Sequence, residues 1–186
     1  METGENIRRI KENLFLIPEE RFDALSKDPL SVSLVYLLAL LVLSLPFQVA
    51  KLLFDEFSIM NALIYAPIAY LFYIPLFYIG FVVLHILLKL LGGKASFSET
   101  VATMIHAETL FLIVGPLPYI GVLAALVALP NIVLGAKRVH KISLLRSIAA
   151  VVVIPLIIFI FIIAIVILLF AAMMSSYVGA PYGAYR

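Results

Sequence analysis

The stretch SIAAVVVIPLIIFIFIIAIVILLFAAMM, residues 147–174, decides the fold of this chain. It contains no charged side chain. At a rise of about 1.5 Å per residue, a helix of this length exceeds the roughly 30 Å hydrocarbon core of a bilayer. The core helix of a soluble domain is shorter and carries polar residues on one face. We therefore predict that the chain is an integral membrane protein.

Four more apolar stretches precede this one, and 65% of all residues are hydrophobic while only 13% are charged. A soluble domain of this size could not keep so much apolar surface from water. We predict an all-α integral membrane helical bundle with five transmembrane helices. They cover residues 30–54, 67–91, 98–114, 119–136 and 147–174.

Two details of this arrangement follow from local sequence. Residues 57–88 carry no charge but are interrupted by Pro67 and Pro75, so we expect a short interfacial lead-in over 58–66 before the second span. The third and fourth stretches are each only just long enough to cross. Residues 98–136 can therefore be two full spans or a re-entrant hairpin.

The residues before the first span form an amphipathic segment. Ile7, Ile10 and Leu14 recur at helical spacing with basic residues between them, and a proline separates them from a second short apolar pattern. This predicts two short helices on the cytoplasmic membrane surface, over 1–28. A partly disordered tail is the alternative. The membrane domain is then 29–174, and 175–186 is a flexible extracytoplasmic tail.

The basic residues predict the orientation. Eleven of the thirteen lysines and arginines lie before the first span, in residues 89–94 or in residues 137–146. Five crossings place all eleven on one face, which the positive-inside rule makes cytoplasmic. We expect a multi-pass plasma-membrane protein with a cytoplasmic amino terminus and an extracytoplasmic carboxyl terminus.

No catalytic signature is present. The chain lacks cysteine, and it contains no metalloprotease, nucleophile-elbow, P-loop or dinucleotide-binding motif. We therefore expect a non-enzymatic protein without cofactor or metal.

Polar residues within the predicted spans are the main functional candidates. They are Glu108, His106, His85, Asn61 and Asn131. Glu108 is the strongest, because a charged side chain in hydrocarbon costs at least about 2.5–3.5 kcal/mol and normally faces the bundle interior or water. It could bond between helices, with His85, Asn61 or Asn131 as partner. It could also serve a polar substrate or proton path, or ligate a metal. His106 and Glu108, two residues apart, point to different faces of a helix.

The densest basic loop contains Lys137, Arg138, Lys141 and Arg146. These residues can act only in setting topology, or they can also bind anionic lipid, at about 1 kcal/mol per residue near the surface.

Three loops resemble those of prokaryotic Yip-domain proteins, relatives of the Ypt/Rab-interacting membrane proteins. Residues 92–100, GGKASFSET, resemble the family's GGKGSFxET loop, and 135–143, GAKRVHKIS, resemble its GLKEVHGIS loop. Residues 115–121, GPLPYIG, are similar to its WIPxIG turn, which makes Gly115, Pro116 and Pro118 the predicted hairpin turn. The chain departs from the family where 105–110, IHAETL, lacks the usual proline and where Arg138 replaces an acidic residue. The resemblance implies the five-span fold and a membrane-organising context, and it implies no enzymatic activity.

Two functions fit these observations. The first is a scaffold or adaptor that associates with itself, with other membrane proteins or with anionic lipid. The second is a small transporter or channel with a polar site around Glu108 and His106. A polar cavity reaching Glu108 from one face would favour transport. Partners are the lipid bilayer and membrane proteins, without nucleic acid, and an intramembrane enzyme is a distant third alternative.

Overall fold

The computed structural model describes residues 3–178, which form helices joined by short turns and contain no strand. A 3₁₀ turn at Glu19–Arg21 precedes α2, and a π-helical turn at Ala149–Val153 joins α8 to α9. The helices are α1 (Thr3–Asn13), α2 (Phe22–Leu25), α3 (Leu30–Phe54), α4 (Ile59–Leu90), α5 (Phe97–Ala107), α6 (Thr109–Val114), α7 (Ile120–His140), α8 (Leu144–Ile148) and α9 (Ile154–Val178).

Four helical segments in the described residues are long and apolar enough to cross a membrane. They are α3, α4, α7 and the continuous run Leu144–Met174, formed by α8, the π-helical turn and most of α9. The predicted all-helical class is confirmed. The prediction of five transmembrane helices is wrong, because residues 3–178 contain only four such helices.

The predicted third span, 98–114, is divided. Helix α5 ends at Ala107, Glu108 leaves the helical conformation at φ −94° and ψ 7°, and α6 has only six residues. The Thr109 hydroxyl donates to the carbonyl of His106 at 2.9 Å, a local bond that competes with regular helical pairing. The two pieces are about 16 and 9 Å long, so neither crosses a bilayer alone.

Two helix boundaries also differ from the prediction. Helix α4 has no separate lead-in over 58–66; it starts after the N-cap Ser58 and continues through Pro67 and Pro75. In hydrocarbon, an unbroken helix satisfies nearly all backbone groups, which outweighs the few bonds that prolines remove. The last helix extends beyond residue 174 to Val178, so 175–178 are helical; the rest of the predicted tail lies outside the described residues.

Helix α5 lies at the centre of the bundle, and every residue from Thr100 to Ala107 is buried. It packs against α3, α4 and α7. The run Leu144–Met174 differs sharply, since none of its apolar window is buried within the chain. The described structure is thus a compact unit of α1–α8, which also buries Ala150 of the π-helical turn, with α9 as an uncovered last helix.

The ends of the long helices lie at two opposite ends of the bundle. At one end, the Lys94 amide donates to the His140 carbonyl at 3.1 Å, and Arg146 Nη1 donates to the Leu91 carbonyl at 3.4 Å. We call this the basic end. At the other end, the turn containing Pro116 lies beside Lys51, near the end of α3. The pair α5–α6 therefore carries the chain from the basic end to the opposite end, as two short helices instead of one span.

The amino-terminal segment packs against the half of the bundle that includes the basic end. The two predicted helices are present as α1 and α2, but residues 13–28, which we call the docked segment, make interior contacts. Ile17, Phe22 and Leu25 are buried against Ala107 and α7. Ile10 packs partly against the core, while Ile7 is exposed. Location on the membrane surface stays a prediction.

Candidate functional site

His106 is the centre of a buried polar cluster that fastens the docked segment to α3 and α5. Its ring is fully buried and packs against the Tyr36 ring at a tilt of 36°, with centroids 4.5 Å apart. Asn13 Nδ2 donates to His106 Nδ1 at 2.9 Å, so the proton is on Nε2, which faces Asp28 Oδ2 at 3.3 Å. The Tyr36 hydroxyl bonds the Thr109 hydroxyl at 3.1 Å. His106, which the sequence marked as a candidate intramembrane site residue, thus joins parts of the fold to one another.

Asp28 carries the charge of this cluster. Arg9 pairs with the same carboxylate oxygen that faces His106. Burial by itself would raise the pKa of Asp28, but the hydrogen bonds from His106 and Arg9 together hold it below its usual value. Asp28 is therefore an anion at neutral pH and joins α1, α3 and α5 through one carboxylate.

Asn131 holds the backbone of the docked segment. Its Oδ1 accepts from the Ile17 amide at 3.0 Å, and its Nδ2 donates to the Phe15 carbonyl at 2.8 Å. The acceptor and the donor of this buried side-chain amide are thus both bonded to residues more than a hundred positions away along the chain. Asn131 is thus not a partner of Glu108, contrary to one of the predicted pairings.

The basic loop is largely occupied by acids of the docked segment. Lys137 Nζ lies 2.9 Å from Glu19 Oε2, and Arg138 contacts both carboxylate oxygens of Asp23 at 2.5–3.0 Å. The bond to Arg138 is the largest influence on Asp23 and lowers its pKa. Of the four predicted lipid-binding residues, Lys141 and Arg146 are the exposed ones without a carboxylate partner among the described residues.

A second polar cluster joins α4, α5 and α7 at the basic end. Thr100 Oγ1 donates to the Ser96 carbonyl at 3.0 Å, and it lies 2.8 Å from His85 Nδ1 and 2.9 Å from His140 Nε2. Because the Thr100 hydroxyl directs its proton at the Ser96 carbonyl, both ring nitrogens donate to the Thr100 oxygen. A Cβ on Gly93 would lie 2.4 Å from His140 Nδ1, so the loop needs glycine there. His85 is thus engaged and unavailable to Glu108.

Glu108 lies apart from both clusters. It lines a groove of about 460 Å³ between α4 and α7, which we call the Glu108 groove. The side chain is half-buried and has no hydrogen bond or ion pair within the described residues. The other lining residues are Tyr73, Leu76, Phe77, Gly80, Phe81, Leu84, Phe111, Ala125, Ala128, Leu129 and Ile132.

The remaining predicted residues are peripheral. Asn61 is exposed in the first turn of α4, and its backbone amide donates to the Ser58 hydroxyl. Gly115, Pro116 and Pro118 lie in the turn between α6 and α7. Within residues 3–178 no group of three or more histidines and carboxylates is placed to hold a metal ion.

The important partners that the sequence did not reveal are Asn13, Asp28, Tyr36, Thr100 and His140. Asp28 was visible only as the acid before a proline, and His140 only as part of the basic loop. A buried histidine needs hydrogen-bond partners, so the polar residues near the span ends were the available signal.

The three loops that carry the family resemblance lie where the structure joins its helices at the basic end and at the α6–α7 turn. A family model for the Yip1 domain matches residues 13–167. The chain belongs to the Yip1 domain family. The match begins at Asn13, inside the docked segment, and it includes both polar clusters and the Glu108 groove. No curated protein and no solved structure matches the chain at a significant level.

Family membership and the apolar helices together identify a polytopic membrane protein with a Yip1 domain. The suspected family is confirmed. The Yip1 domain is not known as an enzyme family, and its presence assigns no reaction to this chain.

Proposed function

We propose that this Yip1-domain protein is a non-enzymatic scaffold of the prokaryotic plasma membrane, which organises membrane proteins by lateral association of its helices. The observation that carries the proposal is the uncovered last helix. None of its apolar window is buried within the chain, and only 11% of the corresponding window of α4 is buried. Such helices are covered by lipid or by other membrane helices, including those of a second copy.

The environment of Glu108 supports the scaffold over the transporter. Apart from Glu108 and the Tyr73 hydroxyl, the groove is lined by apolar side chains and opens between two candidate spans. His106, the other residue of the predicted transport site, is fully buried and bonded to Asn13 and Asp28. A path for ions or protons would need polar groups that continue from Glu108 to one end of the bundle.

The orientation belongs to the same proposal. The docked segment, the loop 91–96 and the loop 141–143 meet at the basic end, and the positive-inside rule makes that end cytoplasmic. Lys141 and Arg146 are then placed to attract anionic lipid headgroups.

The test is reconstitution of two differently labelled preparations in bilayers. Energy transfer between copies should persist when lipid dilutes the protein, and replacement of residues 154–174 by a polyleucine helix should reduce it. Sealed vesicles with a trapped pH indicator should show no flux through the protein. A strictly monomeric protein, or a flux that Glu108→Gln abolishes, would overturn the scaffold.

A further inference from the structure

The Glu108 groove is a laterally open recess between two candidate spans. Its walls come from α4 and α7, and small residues line it at Gly80, Ala125 and Ala128. A Cβ built on Gly80 meets nothing within 4 Å. The groove therefore has room for side chains from outside, and its small residues allow another helix to approach closely.

The polar group in the groove is not satisfied by this chain. Several other polar residues inside the bundle are hydrogen-bonded within the chain: His106 to Asn13, Asn131 to the docked segment, and His85 to Thr100. Glu108 has no such bond within residues 3–178. A carboxyl group without a partner in an apolar medium is costly, so a ligand that supplies a donor gains free energy here.

The neighbouring helices restrict what the ligand can be. Both α4 and α7 qualify as membrane spans, so the groove faces the lipid phase. A lipid acyl chain could fill its apolar part but supplies no hydrogen-bond donor. A transmembrane helix can do both, because it presents a ridge of side chains and can carry an amine near its middle.

We propose that the Glu108 groove is a docking site for a transmembrane helix of a partner protein that carries a lysine near the middle of its span, with the lysine paired to Glu108. This rests on the proposed scaffold function and names the partner chemistry. Charge complementarity selects the partner: the carboxyl group is the one acid in the groove, and no base of the described chain reaches it.

The probe is a leucine–alanine helix of about 20 residues with one central lysine, compared with the same helix carrying leucine at that position. The full-length protein carries one fluorophore at Phe57→Cys, an exposed position in the α3–α4 turn of a chain without native cysteine. Energy transfer is measured in zwitterionic bilayers, where lipid charge does not hold the lysine.

The lysine peptide should bind about fivefold to thirtyfold more tightly than the leucine peptide, the equivalent of ~1–2 kcal/mol for a polar contact between membrane helices. Glu108→Leu should remove that preference. Gly80→Leu should weaken both peptides by filling the groove, while Ala164→Leu, an equivalent enlargement on exposed α9, should change neither.

Three results would overturn the docking site: equal binding of both peptides, a lysine preference that survives Glu108→Leu, or dodecylamine binding at Glu108 without peptide binding. The last would identify a lipid-phase amine as the ligand. Gly80→Leu leaves Glu108 in place, so the groove is still tested if Glu108→Leu fails to fold. Copy-to-copy association, measured separately, distinguishes failure of the groove from failure of the scaffold.

Discussion

At the scale of single residues, the two asparagines of the membrane domain provide a matched comparison. Asn131 is buried and bonds the backbone at both Phe15 and Ile17, whereas Asn61 is exposed. Asn131→Leu should lower the free energy of unfolding by about 1–3 kcal/mol, because it leaves the buried Ile17 amide and the partly buried Phe15 carbonyl without a partner. Asn61→Leu should change it by less than about 0.5 kcal/mol. Thermal unfolding followed by circular dichroism suits a protein without tryptophan.

Glu108 should behave differently from the buried polar residues. From sequence, one expectation was an interhelical bond whose loss would destabilise the bundle. The structure gives Glu108 no such bond among the described residues, so Glu108→Leu should leave the stability of the isolated protein unchanged or raise it. Unfolding of this variant in detergent checks the expectation, and a loss above about 1 kcal/mol would indicate a partner that the groove does not show.

At the scale of elements, α7 depends on a close approach at Gly135. A Cβ there would lie 2.6 Å from Thr103 Cγ2 and 3.0 Å from the Phe22 ring, so α5 and the docked segment would both have to move. Gly135→Ala should cost about 1–3 kcal/mol through overpacking. The control is Gly80→Ala, whose Cβ meets nothing within 4 Å and which should gain up to about 1 kcal/mol from helix propensity. The same unfolding measurement compares both, and equal effects would contradict this packing.

The docked segment should be released by acid. The folded state lowers the pKa of Asp28, so the carboxylate stabilises the folded protein above its usual pKa near 4, and that contribution disappears as pH falls through the lower folded value. Asp23, paired with Arg138, acts in the same direction. Protease cleavage within residues 14–20 should therefore accelerate below about pH 4.

Asp28→Asn tests this explanation. The amide cannot form an ion pair with Arg9, so the variant should be cleaved faster at neutral pH and should show a weaker dependence on acid. An acid response identical to that of the parent protein would assign the effect to other carboxylates.

At the scale of the whole molecule, the absence of cysteine permits a direct test of orientation. Single cysteines at Lys94 and Lys141 should react with a membrane-impermeant reagent only from the cytoplasmic side, because both positions lie at the basic end. A cysteine at Phe57, in the opposite α3–α4 turn, should react only from outside. Labelling of Phe57→Cys and Lys94→Cys from the same side would contradict the proposed topology.

The family and the helical class could be predicted from the sequence because they depend on local features. An uncharged run such as 147–174 has few alternatives to a helix, and short loop motifs lie between the helices. The division at Glu108 could not be predicted, because no proline marks the position. The bond from the Thr109 hydroxyl to the His106 carbonyl, which accompanies the division, is visible only in the structure. The partners of His106 and Asn131 were hidden for another reason: they are 78 to 116 positions away along the chain.

That separation along the chain affects biosynthesis. Ile17 is made early, and the side chain that holds its amide belongs to Asn131, which is 114 positions later. At roughly 5–20 residues per second, the ribosome needs about 6–23 s to cover that distance. During this time the first helices are already in the bilayer while residues 13–28 lack their binding surface. A protease added to stalled ribosomes should therefore cut this segment readily in nascent chains that end before α7, and slowly once α7 has been released from the ribosome.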